Sequence, residues 1–173
     1  IVTSDEAKAR KMCDDASFFN REAIYYPAKD AIFYSADVHG NQITGERLRC
    51  ISRIINHSST GEGVLTVVTT MDGIADRLIP VERFKEAVIT LDYSSEIEPE
   101  KLAKKLVAMG FVRTGMVEDK GQFAIRGGII DIFSYTDEAP VRIELWDTEV
   151  DSIRMFDVES QRSIERLQSY SIF

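Results

Sequence analysis

At 173 residues, 44% hydrophobic and 29% charged, the chain is long enough for one ordinary domain or two small ones and apolar enough to bury a core. Its formal net charge of −8, with 13 acids against 11 bases in residues 1–90 and 16 against 10 in residues 91–173, repels phosphate. Any grip on nucleic acid is therefore indirect or confined to a local patch. No apolar run approaches the roughly 20 residues that cross a bilayer, and no signal-peptide pattern opens the chain, so no membrane role is expected. Cys13 and Cys50 lie far apart without CxxC spacing and read as free thiols of a reducing, cytoplasmic compartment.

Ile1-Val2-Thr3 reads as the end of a buried strand, and a chain that opens this way without methionine reads as an excerpt from a longer protein. Thr3-Ser4-Asp5 is an N-cap cluster for a helix to about Phe19, with Ala9, Met12, Ala16 and Phe19 on one apolar face. Ala23–Tyr26 is a short strand stopped by Pro27, and a polar, irregular stretch follows through Asn41. Thr44-Gly45-Glu46-Arg47 opens a second helix whose inner side carries Leu48, Ile51, Ile54 and Ile55. After the Gly61-Glu62-Gly63 turn, the β-branched run Val64–Thr69 suits a strand buried on both faces of a parallel sheet. Residues 1–78 thus alternate strand and helix as in an α/β layer.

The character changes near Pro80. Phe84–Asp92 contains a strand, and Glu98-Pro99-Glu100 starts a helix with Leu102, Leu106 and Met109 on one face that ends at Gly110. Everything after it reads as β, with strands over 111–117, 121–126, 129–133, 141–146, 150–156 and 164–172 in an antiparallel meander. Residues 79–173 are therefore expected to form a small α+β module.

The constellations of an enzyme are missing. There is no GxxxxGK[ST] loop, HExxH, GxSxG or paired Cys/His ligand set, so no catalytic, cofactor or metal site is expected. Gly121–Gly128 is glycine-flanked but opens no helix. His39 reads as a loop residue near Asp37, and His57 as a cation at a helix end. Asp147, Glu149 and Asp151 read as a solvated turn.

Alternation in Val141–Trp146 places Val141, Ile143 and Leu145 on one face and Arg142, Glu144 and Trp146 on the other. By the same rule Gln122, Ala124 and Arg126 share a face, as do Ile129, Asp131 and Phe133. Arginines and aromatics together favour a protein interface; the alternative is a solvated face with cross-strand ion pairs.

The stretches GQFAIRGGIIDIF (121–133) and VRIELWDTEVDSIRMFD (141–157), with Gln161-Arg162-Ser163 beyond, resemble the UvrB-like module. The RGGIIDIF, DTEVDSIR and VESQRS forms are more similar to those of the bacterial transcription-repair coupling factor family than to UvrB itself. Tyr26-Pro27 and the Gly45-Glu46-Arg47-Leu48 helix match that family's first subdomain more loosely.

The resemblance implies a degenerate, partial P-loop/helicase-like α/β layer (1–78) followed by an antiparallel-sheet domain (79–173) that docks the repair protein UvrA. Its docking positions fall on Arg113, Arg126, Arg142 and Glu144, with Phe133 or Trp146 as apolar flanks. Where UvrB has a further arginine, this chain has Ala124. The segment matching UvrB's tyrosine-rich DNA hairpin, about 27–45, lacks the tyrosine cluster, so strand separation is not implied. The implied role is non-catalytic recruitment of UvrA to stalled transcription in the bacterial cytoplasm at the nucleoid, with DNA and RNA polymerase held by other parts of the parent chain. Two other readings stand beside it: part of a UvrB-type ATPase and excision-nuclease subunit, or a domain that docks another domain of its own chain.

Overall fold

Val2–Thr3 (β1), Ala23–Tyr26 (β2) and Thr66–Thr70 (β3) form a parallel sheet in the order β1-β3-β2. Helices Glu6–Phe19 (α1) and Asp37–Thr60 (α2) connect them, which is the alternation expected from the sequence. In this computed structural model the chain forms two units, Ile1–Val81 and Glu82–Phe173, and residues 1–20, 22–29, 37–61 and 63–173 are described, without the side chains of 37–41.

In the first unit Asp5 caps α1, its carboxylate accepting the Lys8 N–H at 2.9 Å. Only Ala9 of the helix is buried. Met12 is 42% exposed and Phe19 95%, so the apolar face expected there is not covered within the unit. The central strand begins at Thr66 rather than Val64, because β2 begins at Ala23 and the register pairs Ala23 with Thr66; Val64 is exposed. Val68, Thr69 and Thr70 are buried, as suits the middle strand of a parallel sheet.

Helix α2 starts at Asp37, ahead of the expected Thr44; the rest of the expected irregular stretch, residues 30–36, lies outside the described residues. The side chains of His39 and Asp37 do too. The inner side of α2 is only partly the expected one, with Leu48, Ile51 and Ile55 half-buried. Arg47 and Cys50 are buried, while Ile54 is exposed. Arg47 donates to the Pro27 carbonyl at 2.6 Å, pairs with Asp76 at 3.0 Å and lies over the Tyr26 ring at 4.5 Å. The ion pair with Asp76 and the Pro27 carbonyl offset the cost of burying this charge, although Arg47 Nη2 and Asp76 Oδ2 make no hydrogen bond; counting apolar residues does not reveal this. Burial pushes the Cys50 thiol up to about 11, so it behaves as a small apolar group. Thr70 then caps Met71–Ala75 (α3).

At the start of the second unit Val81–Ala87 is a helix (α4), and the strand expected within Phe84–Asp92 is Ile89–Asp92 (β4). Phe84 is buried beside Phe173, with ring centroids 6.2 Å apart. Pro99–Ala108 (α5) has Pro99 in its first turn, and Gly110 follows it at φ +95°, both as its sequence signals require.

Val112–Arg113 (β5), Gln122–Arg126 (β6), Ile129–Phe133 (β7), Val141–Trp146 (β8), Glu149–Phe156 (β9) and Ser163–Arg166 (β10) form one sheet in the order β10-β9-β8-β7-β6-β5. Its pairings are antiparallel, as in a meander, except that the two-residue β5 runs parallel to β6. The expected strand over 164–172 is two strands. Ser169–Ile172 (β11) leaves the sheet and pairs with β4, Tyr170 opposite Leu91. The core lies between α5 and one sheet face, built on Leu106, Phe123, Ile130, Ile132, Ile143 and Ile153, all fully buried.

Candidate protein-interaction surface

Alternation sends Phe123, Ile130, Ile132, Val141 and Ile143 into the core, so the intervening residues of β6, β7 and β8 form the opposite face. The hairpin β6–β7 sets their register. Arg126 pairs with Ile129 across a Gly127-Gly128 turn in which Gly127 has φ +59°. A Cβ on Gly128 would meet the Leu145 carbonyl oxygen at 2.9 Å, and the Gly128 carbonyl accepts the Leu145 N–H at 2.7 Å. The glycine pair is thus a tight turn against β8, and it opens no helix.

At the centre of the face stands Asp131, 1% exposed. Its Oδ2 accepts from Arg126 Nη2 at 2.5 Å and Arg142 Nη2 at 2.9 Å, and its Oδ1 accepts from Arg142 Nε at 2.7 Å. Arg142 is further fixed by Gln161, whose Oε1 accepts from Nη2 at 2.8 Å, and by the Phe156 ring beneath its guanidinium at 4.4 Å. The hydrogen bonds to Asp131 raise the Arg142 pKa above its ordinary value. On the next pair of strands, Glu144 accepts from Ser152 Oγ at 2.9 Å and pairs with Arg154. Arg142 and Arg154 are directly opposite in the register, a like-charge pair relieved because each has its own carboxylate.

The structure therefore brings together three of the residues singled out from sequence, Arg126, Arg142 and Glu144, and ties each to an acid or base within the sheet. Arg113, on β5, stands apart and pairs with Glu100 of α5 at 3.2 Å. Phe133 is not an exposed flank: it is 8% exposed in a small cluster with Val117 and Ala124, with Lys120 5.8 Å from its ring centroid. Ala124 occupies that cluster as a small apolar residue, which accounts for the absence of a long cation there. Trp146, at the end of β8, is 80% exposed; the register shift between Glu144 and Leu145 places its extra residue on β9, so the alternation that groups Trp146 with Arg142 holds.

Asp131, Gln161 and Arg154 join the site without having been singled out as site residues from sequence, although alternation places Asp131 on this face. For Asp131 a signal existed, since a carboxylate inside an otherwise apolar strand demands a buried counter-charge. Gln161 stands in the Gln161-Arg162-Ser163 stretch that carries the resemblance, but its bond to Arg142 comes from a loop in which it has φ +59° and leaves no local mark.

Among the described residues no group of three or more His, Cys, Asp or Glu could hold a metal, and no helix is long and apolar enough to cross a membrane. A cleft of about 330 Å³ between β4 and α5 carries Glu98 and Lys101, which pair with each other at 2.6 Å. His57 sits in the last turn of α2, Asp147 in the β8–β9 turn at φ +57°, and Glu149 and Asp151 on β9 itself.

This sheet face thus carries a hydrogen-bonded arginine–carboxylate array, with an exposed tryptophan at the end of β8. Residues 89–173 match the family model of the UvrB interaction domain, in agreement with the resemblance seen in residues 121–157. Over 99% of its length the chain is 41% identical to the transcription-repair-coupling factor of Bacillus subtilis (strain 168). It is 36% identical, over the same share, to those of Staphylococcus aureus (strain Mu50) and Staphylococcus haemolyticus. It spans 14% of the length of each.

Proposed function

We propose that this chain is a non-catalytic segment of a transcription-repair-coupling factor and that its UvrB interaction domain docks UvrA, recruiting excision repair to stalled RNA polymerase. In this reading residues 79–173 are the docking domain. Residues 1–78 are a degenerate helicase-like layer, and the parent acts in the bacterial cytoplasm at the nucleoid, engaging DNA and polymerase through other parts. The observation that carries the proposal is the array on Asp131. Three guanidiniums (Arg126, Arg142, Arg154) face two carboxylates (Asp131, Glu144), leaving a local positive surplus in a chain of net charge −8. Such a surplus meets an acidic partner surface, and Trp146 at 80% exposure supplies a large apolar anchor.

Arg126 is the residue to test, because Asp131 keeps Arg142 when Arg126 is removed. The chain is expected to co-elute with purified UvrA in size exclusion. Arg126→Ala and Trp146→Ala are each expected to weaken the complex, by on the order of 2–5 kcal/mol where the lost contact is fully desolvated. A folded wild-type chain that elutes alone at micromolar concentrations of both proteins would overturn the proposal.

A further inference from the structure

We infer that Asp131 is the positioning residue of the docking surface, fixing the Arg126 and Arg142 guanidiniums in the arrangement that a partner carboxylate meets. This inference rests on the docking reading above. Both arginines have flexible stems and could each adopt many rotamers, yet one fully buried carboxylate takes hydrogen bonds from both. The division of labour follows from exposure. The Arg142 side chain is 15% exposed and has its Nε and Nη2 committed to Asp131 and Gln161, so it acts as a brace. The Arg126 side chain is 43% exposed, and its Nε has no hydrogen-bond partner among the described residues. Arg126 is therefore the group that reaches the partner, from a direction set by Asp131. A partner carboxylate placed beside it would bring the array to three cations and three anions, and the fork of the guanidinium favours a two-point approach.

Removal of the Asp131 charge separates positioning from simple attraction, because the two predict opposite signs. If the surface worked by net charge alone, Asp131→Asn would make it more positive, and an acidic partner would bind more tightly, most visibly at low salt. If Asp131 positions the arginines, the same variant binds more weakly despite the added positive charge. A residue that only stabilises the fold would lower the melting temperature and leave the affinity of the folded protein unchanged.

The experiment is calorimetric titration of the full chain with purified UvrA at two salt concentrations, for wild type, Asp131→Asn, Arg126→Ala, the double variant and Gln161→Ala. Folding is checked by circular dichroism. Asp131→Asn is expected to raise Kd at least about tenfold at both salt concentrations, and to add little to Arg126→Ala, because it acts through that residue. Gln161→Ala, which removes only one prop of Arg142 from a loop, is expected to raise Kd about threefold. Wild-type or tighter binding by folded Asp131→Asn overturns the inference while leaving docking intact. Should Asp131→Asn not fold, unchanged affinity in Gln161→Ala overturns it instead. Absence of binding by the wild type marks failure of the docking reading itself.

Discussion

Asp137 and Tyr170 tie β11 to the loop after β7 through one hydrogen bond, the Tyr170 hydroxyl donating to Asp137 Oδ2 at 2.6 Å. Burial raises the Asp137 carboxyl above its ordinary value of 3.8, an effect the Tyr170 bond only partly offsets, and burial holds the Tyr170 hydroxyl well above 10. A carboxyl with a raised folded-state pKa binds its proton more tightly in the folded chain. Its contribution to stability is thus present below the ordinary carboxylate range and is lost as pH rises through the raised value. Asn in its place keeps an acceptor for Tyr170 and carries no charge to desolvate. Asp137→Asn is therefore expected to raise the urea midpoint at about pH 7 and to lose that advantage by about pH 4, when Asp is protonated anyway. A variant equal to wild type at neutral pH would contradict this. Asp5, Asp92 and Asp157, all held below the ordinary range by hydrogen bonds, shift stability the opposite way, so the comparison is between variant and wild type at each pH.

At this scale the alternation of β6, β7 and β8 is readable in the sequence, and it groups Arg126, Arg142 and Glu144 without any knowledge of how the strands pack. What alternation does not give is the occupancy of the outward face. Phe133 points away from the main core as expected, and is nevertheless covered, because Val117 and Val158 close over that corner of the sheet. Trp146, which alternation places on the same face, is exposed where Phe133 is covered.

Among the elements, α5 was legible from end to end, since Pro99 and Gly110 act within one turn of the positions they govern. Its inner residue Leu106 is fully buried among the core strands, so Leu106→Ala is expected to cost about 2–5 kcal/mol by urea denaturation. A change under about 1 kcal/mol would show that the site collapses around the gap or that the helix does not seal this core. The elements that local sequence does not reveal depend on distant partners. Ser169–Ile172 is a separate strand because β4 offers it an edge, joined by Thr90 and Ser171, 81 residues apart. Val81–Ala87 forms a helix for which no local signal is read, with Phe84 set against Phe173. Neither Phe173 nor the β4 edge leaves a mark in the local sequence. The same holds for the inner face of α2, where the buried Arg47 takes its meaning from Pro27, Tyr26 and Asp76.

For the whole molecule, the apolar core around Leu106 and Phe123 is made entirely by the second unit, with α5, the four strands β6 to β9 and the β4–β11 pair. Residues 82–173 expressed alone are therefore expected to unfold in a single cooperative urea transition. A gradual, non-cooperative loss of signal would show that this core needs the first unit. Docking by this unit alone, on a face whose positive surplus is local and whose anchor is one aromatic ring, is the central claim. Trp146 is the chain's single tryptophan and lies beside that face, which makes it a direct reporter. The decisive measurement is a fluorine NMR titration of the full chain, labelled with 5-fluorotryptophan, against unlabelled UvrA. The Trp146 resonance is expected to shift and broaden saturably, with Arg126→Ala moving the midpoint to at least about tenfold higher UvrA, the equivalent of about 1.4 kcal/mol. A resonance that stays fixed for folded chain at saturating UvrA would contradict the account.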